Sequence, residues 1–296
     1  MQRRLFMKKE EFSSLIQLPF LLDGATGSNL MAAGMPRGVC TETWVRDHKE
    51  ILVNLQKAYV DAGSQAVYAP TFGANRISLS MHGLEKEVKS LNEILVSYSR
   101  EAVGDQAYVV GDITTTGKMM APAGDLSYEQ AFETYQEQIS CLAEAGVDFL
   151  VAETMISIDE TLAALDAAQA VCDLPVLCSM TIESDGSLFT GGNIFEAAAA
   201  LESAGASAVG INCSVGPEQL EAIVRTLAST VSVPVIAKPN AGMPQIDEQG
   251  QAVYSMTAPD FTRHMKTLVD AGASIVGGCC GTTPEFIRCL ADLLKS

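Results

Sequence analysis

The strongest constraint on the fold is a phrase that recurs four times along the chain. It consists of a helical pattern, a small residue and a glycine, then an apolar run. The four occurrences are Asp61-Ala62-Gly63-Ser64, Glu144-Ala145-Gly146-Val147, Ser203-Ala204-Gly205-Ala206 and Asp270-Ala271-Gly272-Ala273. Glycine at that point stops a helix, because it enters the left-handed backbone region without a Cβ penalty. The apolar runs that follow span 66–72, 148–154, 208–213 and 275–280. Three further runs lie between them: 108–113, 176–182 after Leu174-Pro175, and 235–240 after Val233-Pro234. A run at 20–24 precedes them all.

The count is eight strands, separated by segments of helical periodicity such as 128–145 and 217–227. Continuous apolar strands alternating with amphipathic helices describe a parallel sheet covered by helices. Eight such units predict a closed (β/α)8 TIM barrel, for which 296 residues is an ordinary length. The expected division is a short helical N-terminal extension over 1–18 and a single barrel domain over 19–296. A doubly wound open sheet is the runner-up. It has little support, since no Gly-x-Gly-x-x-Gly follows the first strand and no phosphate-loop motif occurs.

Composition narrows the function. A formal charge of −17 argues against nucleic acid, which is gripped by clustered Lys and Arg. No apolar run approaches the length of a membrane span. The basic start, Met1 to Glu10, lacks the apolar stretch and cleavage site of a signal peptide. Eight cysteines without such a signal point to a reducing cytoplasm.

In a barrel of this kind the chemistry lies at the carboxyl ends of the strands. Reading those ends in order gives Asp23, Thr71, Asp112, Glu153, Met180, Cys213, Asn240 and the pair Cys279-Cys280. The pair sits in Gly277-Gly278-Cys279-Cys280-Gly281-Thr282-Thr283-Pro284, and Cys213 closes Gly210-Ile211-Asn212-Cys213. Adjacent cysteines seldom bond to each other, because the closed ring is strained. Flanking glycines let the backbone bend until both sulfurs face one point. A third thiolate from another strand end then makes a three-sulfur site whose fourth tetrahedral position is open, as catalytic zinc requires. The competing reading is that buried cysteines are small hydrophobes. It suits the other five (Cys40, Cys141, Cys172, Cys178 and Cys289), which have no ligand spacing. No histidine has ligand spacing either.

At these residues the sequence resembles the homocysteine S-methyltransferase family over about 20 to 294. Within it, the likeness is greatest to the homocysteine-binding module of cobalamin-dependent methionine synthases. The matching phrases are Leu22-Asp23-Gly24-Ala25-Thr26-Gly27, Thr71-Phe72-Gly73-Ala74-Asn75, Gly111-Asp112-Ile113, Glu153-Thr154, Gly210 to Cys213, Pro239-Asn240-Ala241-Gly242 and Gly277 to Pro284. The resemblance implies zinc on Cys213, Cys279 and Cys280. It implies that Glu153 holds the ammonium of homocysteine and that the amides around Gly24 and Ala25 hold its carboxylate. Asn240 stands where the family has an asparagine near the metal. Four departures accompany it: Ser28 for threonine, Ala69-Pro70 for Thr-Asn, Thr114-Thr115 for Gly-Pro, and Lys238 for glutamate.

The implied reaction moves a methyl group to the homocysteine thiol and forms methionine. Only a thiolate attacks carbon well, and coordination strips the thiol of its proton. Three cysteine thiolates leave the site net negative, so the bound sulfur keeps electron density for displacement. Glu153 is then needed to bind, not to act as a base. Asp23 and Asp112 have two open roles, holding loops through backbone N–H groups or touching substrate; Thr71 offers a supporting hydroxyl. The expected donor is methylcobalamin on a partner corrinoid protein, docked over the loops after strands one to three. Alternatives are a small donor (S-methylmethionine, S-adenosylmethionine or betaine), a thiolate domain that senses metal or redox state without turnover, and an inert barrel.

Overall fold

In a computed structural model the structure describes residues 12, 19–247 and 252–295. Eight parallel strands form the sheet: β1 (Phe20–Leu21), β2 (Ala66–Tyr68), β3 (Tyr108–Ile113), β4 (Phe149–Met155), β5 (Val176–Met180), β6 (Ala208–Asn212), β7 (Val235–Lys238) and β8 (Ala273–Val276). Each from β2 to β7 pairs with its successor in sequence, and β8 pairs with β1. This is the (β/α)8 TIM barrel expected from the punctuation pattern.

The seam between β1 and β2 is closed largely by side chains. The Gln65 amide donates to Leu21 O at 2.7 Å, the Leu21 amide to Gln65 Oε1 at 2.9 Å, and the Tyr68 amide to Asp23 Oδ2 at 2.9 Å. A carboxylate thus replaces a ladder acceptor where the chain leaves the sheet to build the mouth.

The covering helices are α1 (Lys49–Ala62), α2 (Val88–Val103), α3 (Tyr128–Ala145), α4 (Ile158–Val171), α5 (Ile194–Ser203), α6 (Glu221–Thr230), α7 (Ala258–Asp270) and α8 (Pro284–Lys295). The glycines after α1 and α7 do two jobs. Gly63 and Gly272 sit at φ of 112° and 116°, and a Cβ on them would come within 2.8 Å of Ala291 Cβ and 2.5 Å of Ala228 Cβ. The expected helix over 217–227 is instead a short 3-10 turn, Pro217–Gln219, followed by α6, because Leu220 interrupts the α-helical bonding.

Strand side chains alternate in and out. The inward phase gives a lower interior of Phe20, Leu22, Ala66, Tyr68, Val110, Phe149, Val151, Leu177, Ala208, Ile236 and Ile275. Phe12 is fully buried among them, 5.3 Å from the Phe149 ring and 6.5 Å from Phe20. It plugs the amino end of the barrel. The rest of the expected 1–18 extension lies outside the described residues. Two positions higher, the same phase carries Asp112, Glu153, Ser179 and Lys238, all buried. The barrel interior is apolar below and polar at its carboxyl end.

Candidate metal centre

The backbone bends sharply where the site begins. Among the described residues, Thr154 and Cys213 are the non-glycine positions with positive φ, at 57° and 49°. Such a residue costs about 1–2 kcal/mol. Asn212, 1% exposed, holds both bends. Its Oδ1 accepts from the Thr154 amide at 2.9 Å and from Ser179 Oγ at 2.8 Å, and its Nδ2 donates to Thr154 Oγ1 at 2.7 Å. Glu153 precedes one bend and Cys213 forms the other, so one side chain aligns both.

The cysteine pair is tied down from two sides. The Cys279 amide donates to Pro239 O at 2.7 Å and the Ala241 amide to Cys280 O at 2.9 Å. Thr282 Oγ1 donates to Cys279 O at 2.7 Å. Gly281, at φ 81°, lies under the Tyr254 ring, whose Cγ is 2.3 Å from where a Cβ would be. Ser28 Oγ accepts from the Gly281 amide at 3.2 Å, a bond the hydroxyl of the commoner threonine also offers.

As a result the sulfurs of Cys213, Cys279 and Cys280 all lie within 4.8 Å of one another. Those of Cys213 and Cys280 are 3.5 Å apart. That is far longer than a disulfide of about 2.05 Å. It is close to the edge of about 3.8 Å that a tetrahedron of zinc–sulfur bonds near 2.3 Å requires. The donor set therefore fits zinc. No other group of three such ligands occurs among the described residues. Crowding also favours a cation: contacts from Cys213 and Cys279 hold the Cys280 thiolate well below the usual thiol range, while the Cys279 and Cys280 sulfurs push Cys213 far above it. The three share protons as a group, and losing all of them calls for a positive charge in their midst.

Beside the sulfurs lies a polar floor. Lys238 Nζ is 3.5 Å from Asp23 Oδ1 and 3.4 Å from Glu153 Oε1. Burial pushes Asp23 up to about 6 and Glu153 up to about 7, against the opposing pull of Lys238, and raises Asp112 well above the carboxylate range. Burial alone would lower Lys238, but Glu153 and Asp23 outweigh it. Asp23 Oδ1, Asp112 Oδ1, Glu153 Oε1 and Asn240 Oδ1 are buried acceptors without hydrogen-bond partners. Acceptors left in that state cost stability, and donors supplied from outside relieve it.

The remaining expected residues fall into clear places. Thr71 Oγ1 donates to Asp112 O at 2.8 Å and accepts from its amide at 3.2 Å, so it braces β3 from within. Thr114 Oγ1 donates to Glu153 O at 2.7 Å, and Thr115 Oγ1 donates to Glu160 Oε2 at 2.7 Å. The pair that departs from Gly-Pro thus supports the site. Asp23 performs the loop-holding role through Tyr68 and also faces Lys238. Asn240 Nδ2 donates to Ser214 O at 3.3 Å. The expected amide cradle around Gly24 and Ala25 packs against Thr282 and Tyr59. The Ala25 amide is committed to Thr282 Oγ1 at 3.0 Å, and a Cβ at Gly24 would meet Tyr59 Oη at 2.6 Å. Sequence reasoning left Asn212 without a role and saw Lys238 only as a departure. A lysine in the inward phase of an apolar strand was the available signal.

Most of the exposed large apolar side chains share one address, Tyr128 at the start of α3 being outside it. Met31, Val39, Phe72, Met81, Met119, Phe189 and Met243 all belong to segments between a strand end and the next covering helix. Those segments follow the carboxyl ends of the strands, so exposed apolar side chains gather on the same end of the barrel as the sulfurs.

Comparisons with known proteins bear on the family and the fold. The family model described as homocysteine S-methyltransferase matches residues 20–294. Methionine synthase of Mycobacterium leprae (strain TN) is 28% identical over 293 residues, covering 93% of this chain and 24% of that protein. Methionine synthase of Mycobacterium tuberculosis (strain ATCC 25618 / H37Rv) is 28% identical over 284 residues, with 90% and 24% covered. The chain thus spans about a quarter of the length of these curated relatives. Crystal structures of the homocysteine methyltransferase MmuM from Escherichia coli share the fold. The oxidized form gives a TM-score of 0.78 and the metallated form 0.76, each at 22% identity and covering 95% of this chain and 98% of that one.

Proposed function

Because the chain belongs to the homocysteine S-methyltransferase family, we propose that it methylates the thiol of homocysteine at zinc held by Cys213, Cys279 and Cys280, yielding methionine. The observation that carries this reading is the meeting of three sulfurs with a cluster of buried carboxylates at one barrel mouth, among them Asp112, whose Oδ1 has neither a hydrogen-bond partner nor a cation facing it among the described residues. The first is a set of soft ligands; the second is a receptor for an ammonium. An amino-acid thiol presents both complements.

Bound zinc supplies the electrophile that takes the acceptor thiol in its thiolate form at neutral pH. The protein does the rest by position. Glu153, with Asp112 beside it, accepts the ammonium and so fixes where the sulfur reaches. Asn212 keeps Glu153 and Cys213 in register, and Asn240 stands between the backbone bonds that anchor the cysteine pair. The sulfur then displaces the donor: a sulfur–carbon bond forms, the donor–methyl bond breaks, and its electron pair stays with the donor. No general base is required. Holding the thiolate for in-line approach is the main kinetic contribution.

For the donor we favour a methylated corrinoid carried by a partner protein. The apolar rim suits a bulky partner, and no nucleotide-binding phrase accompanies the mouth. The three-thiolate site and eight free cysteines suit the cytoplasm; no helix of the described residues is long and apolar enough to cross a membrane. The test is to incubate zinc-loaded protein and homocysteine with each donor in turn and measure methionine. The expected result is faster turnover with a methylcorrinoid protein than with S-methylmethionine, S-adenosylmethionine or betaine. Turnover with a small donor and none with any methylcorrinoid would reverse the assignment. No turnover at all, with zinc bound, would favour a sensing role.

A further inference from the structure

Lys238 is the feature of the site floor that methyl transfer does not itself require. It is the last residue of β7, is 4% exposed, and rises beside Gly277, where an added Cβ would lie 3.4 Å from its Cγ. Its ammonium sits 3.5 Å from Asp23 Oδ1, 3.4 Å from Glu153 Oε1 and 4.6 Å from the centre of the Tyr68 ring. Both contacts are long ion pairs, and neither oxygen has a well-formed hydrogen bond to any group. A buried ammonium is tolerated only where its charge is balanced. The two carboxylates and the ring face provide that balance.

The converse bears on the substrate. The space between Asp23 and Glu153 already contains a cation, and a second one entering there would meet like-charge repulsion. Asp23 is further engaged through Oδ2, which accepts from the Tyr68 amide. Asp112 differs. Its Oδ1 is buried and unpartnered, and no cation lies within ion-pair distance of it among the described residues. It is nevertheless close enough to feel the charges of Glu153, Lys238 and Asp23.

We propose that Lys238 is a specificity-determining residue: it fills the cation position between Asp23 and Glu153, so the acceptor's ammonium is held on the Glu153–Asp112 side and adds to an internal positive charge. This rests on the reading of the mouth as a site for an amino-acid thiol. The lysine already balances part of the carboxylate charge. A thiol without an ammonium is therefore penalised less than it would be above bare carboxylates. Removing the charge at 238 makes the ligand's ammonium the only cation, and discrimination steepens.

The experiment compares two thiols on zinc-loaded protein by calorimetric titration: homocysteine and 4-mercaptobutanoate, which lacks only the amino group. Lys238→Met keeps the aliphatic stem and removes the charge. The ratio of the two dissociation constants is expected to rise about tenfold or more, the scale of one charge-assisted hydrogen bond. Asp112→Asn is expected to lower the ratio towards one, and it tests the placement even if Lys238→Met does not fold. Equal weakening of both thiols in Lys238→Met would mark a packing role and overturn the proposal. An unchanged ratio in Asp112→Asn would overturn the placement of the ammonium. Failure of the unaltered protein to bind either thiol would be a separate result, removing the acceptor reading and this proposal with it.

Discussion

At the scale of single residues, the site is built from side chains whose tasks can be separated by substitution. On the proposed reading the sulfurs supply ligands and Glu153 supplies charge, while Asn212 and Thr282 hold the backbone that carries them. Glu153→Gln separates these roles, since it keeps the shape and removes the charge. Its effect should fall on homocysteine affinity, not on zinc. Losing a charge-assisted hydrogen bond of about 1.5–3 kcal/mol corresponds to roughly one to two decades in affinity. Calorimetry on the zinc-loaded variant checks this, and an unchanged dissociation constant would remove Glu153 from the acceptor site.

At the scale of elements, much of the arrangement was legible in advance. The Ala-Gly phrases mark the ends of α1, α3, α5 and α7, and the apolar runs after them are strands. The residue closing each run lies at the carboxyl rim, which is how Cys213 and Cys280 could be linked across 67 positions of sequence. What escaped was every relation between inward polar groups on different strands. The clasp of Lys238 with Asp23 and Glu153 joins β7 to β1 and β4. The closure of β1 on β2 runs through Asp23 and Gln65. Periodicity reports that a side chain points inward, and nothing in it reports which inward group it meets. The bond from the Ala25 amide to Thr282 Oγ1 escaped for the same reason, because Thr282 arrives from the other end of the chain. The 3-10 turn at Pro217–Gln219 escaped on other grounds: an apolar period continues through it although the hydrogen bonding does not.

At the scale of the whole molecule, stability and chemistry occupy opposite ends of the barrel. Phe12 seals the amino end against Phe20 and Phe149, far from the sulfurs at the carboxyl rim. Phe12→Ala should cost about 3–5 kcal/mol, as truncating a fully buried aromatic side chain does. Urea unfolding measures it, and zinc content at neutral pH should be unchanged in the folded variant. A loss below about 1 kcal/mol would show that the interior repacks without the plug. The central claim concerns the other end, and zinc K-edge X-ray absorption tests it most directly. The protein should hold one zinc with three sulfurs at about 2.3 Å, rising to four sulfurs when homocysteine is added. Cys279→Ala and Cys280→Ala should each lose most of the metal. Full zinc retention in both variants, or a sulfur shell that homocysteine leaves unchanged, would contradict the account.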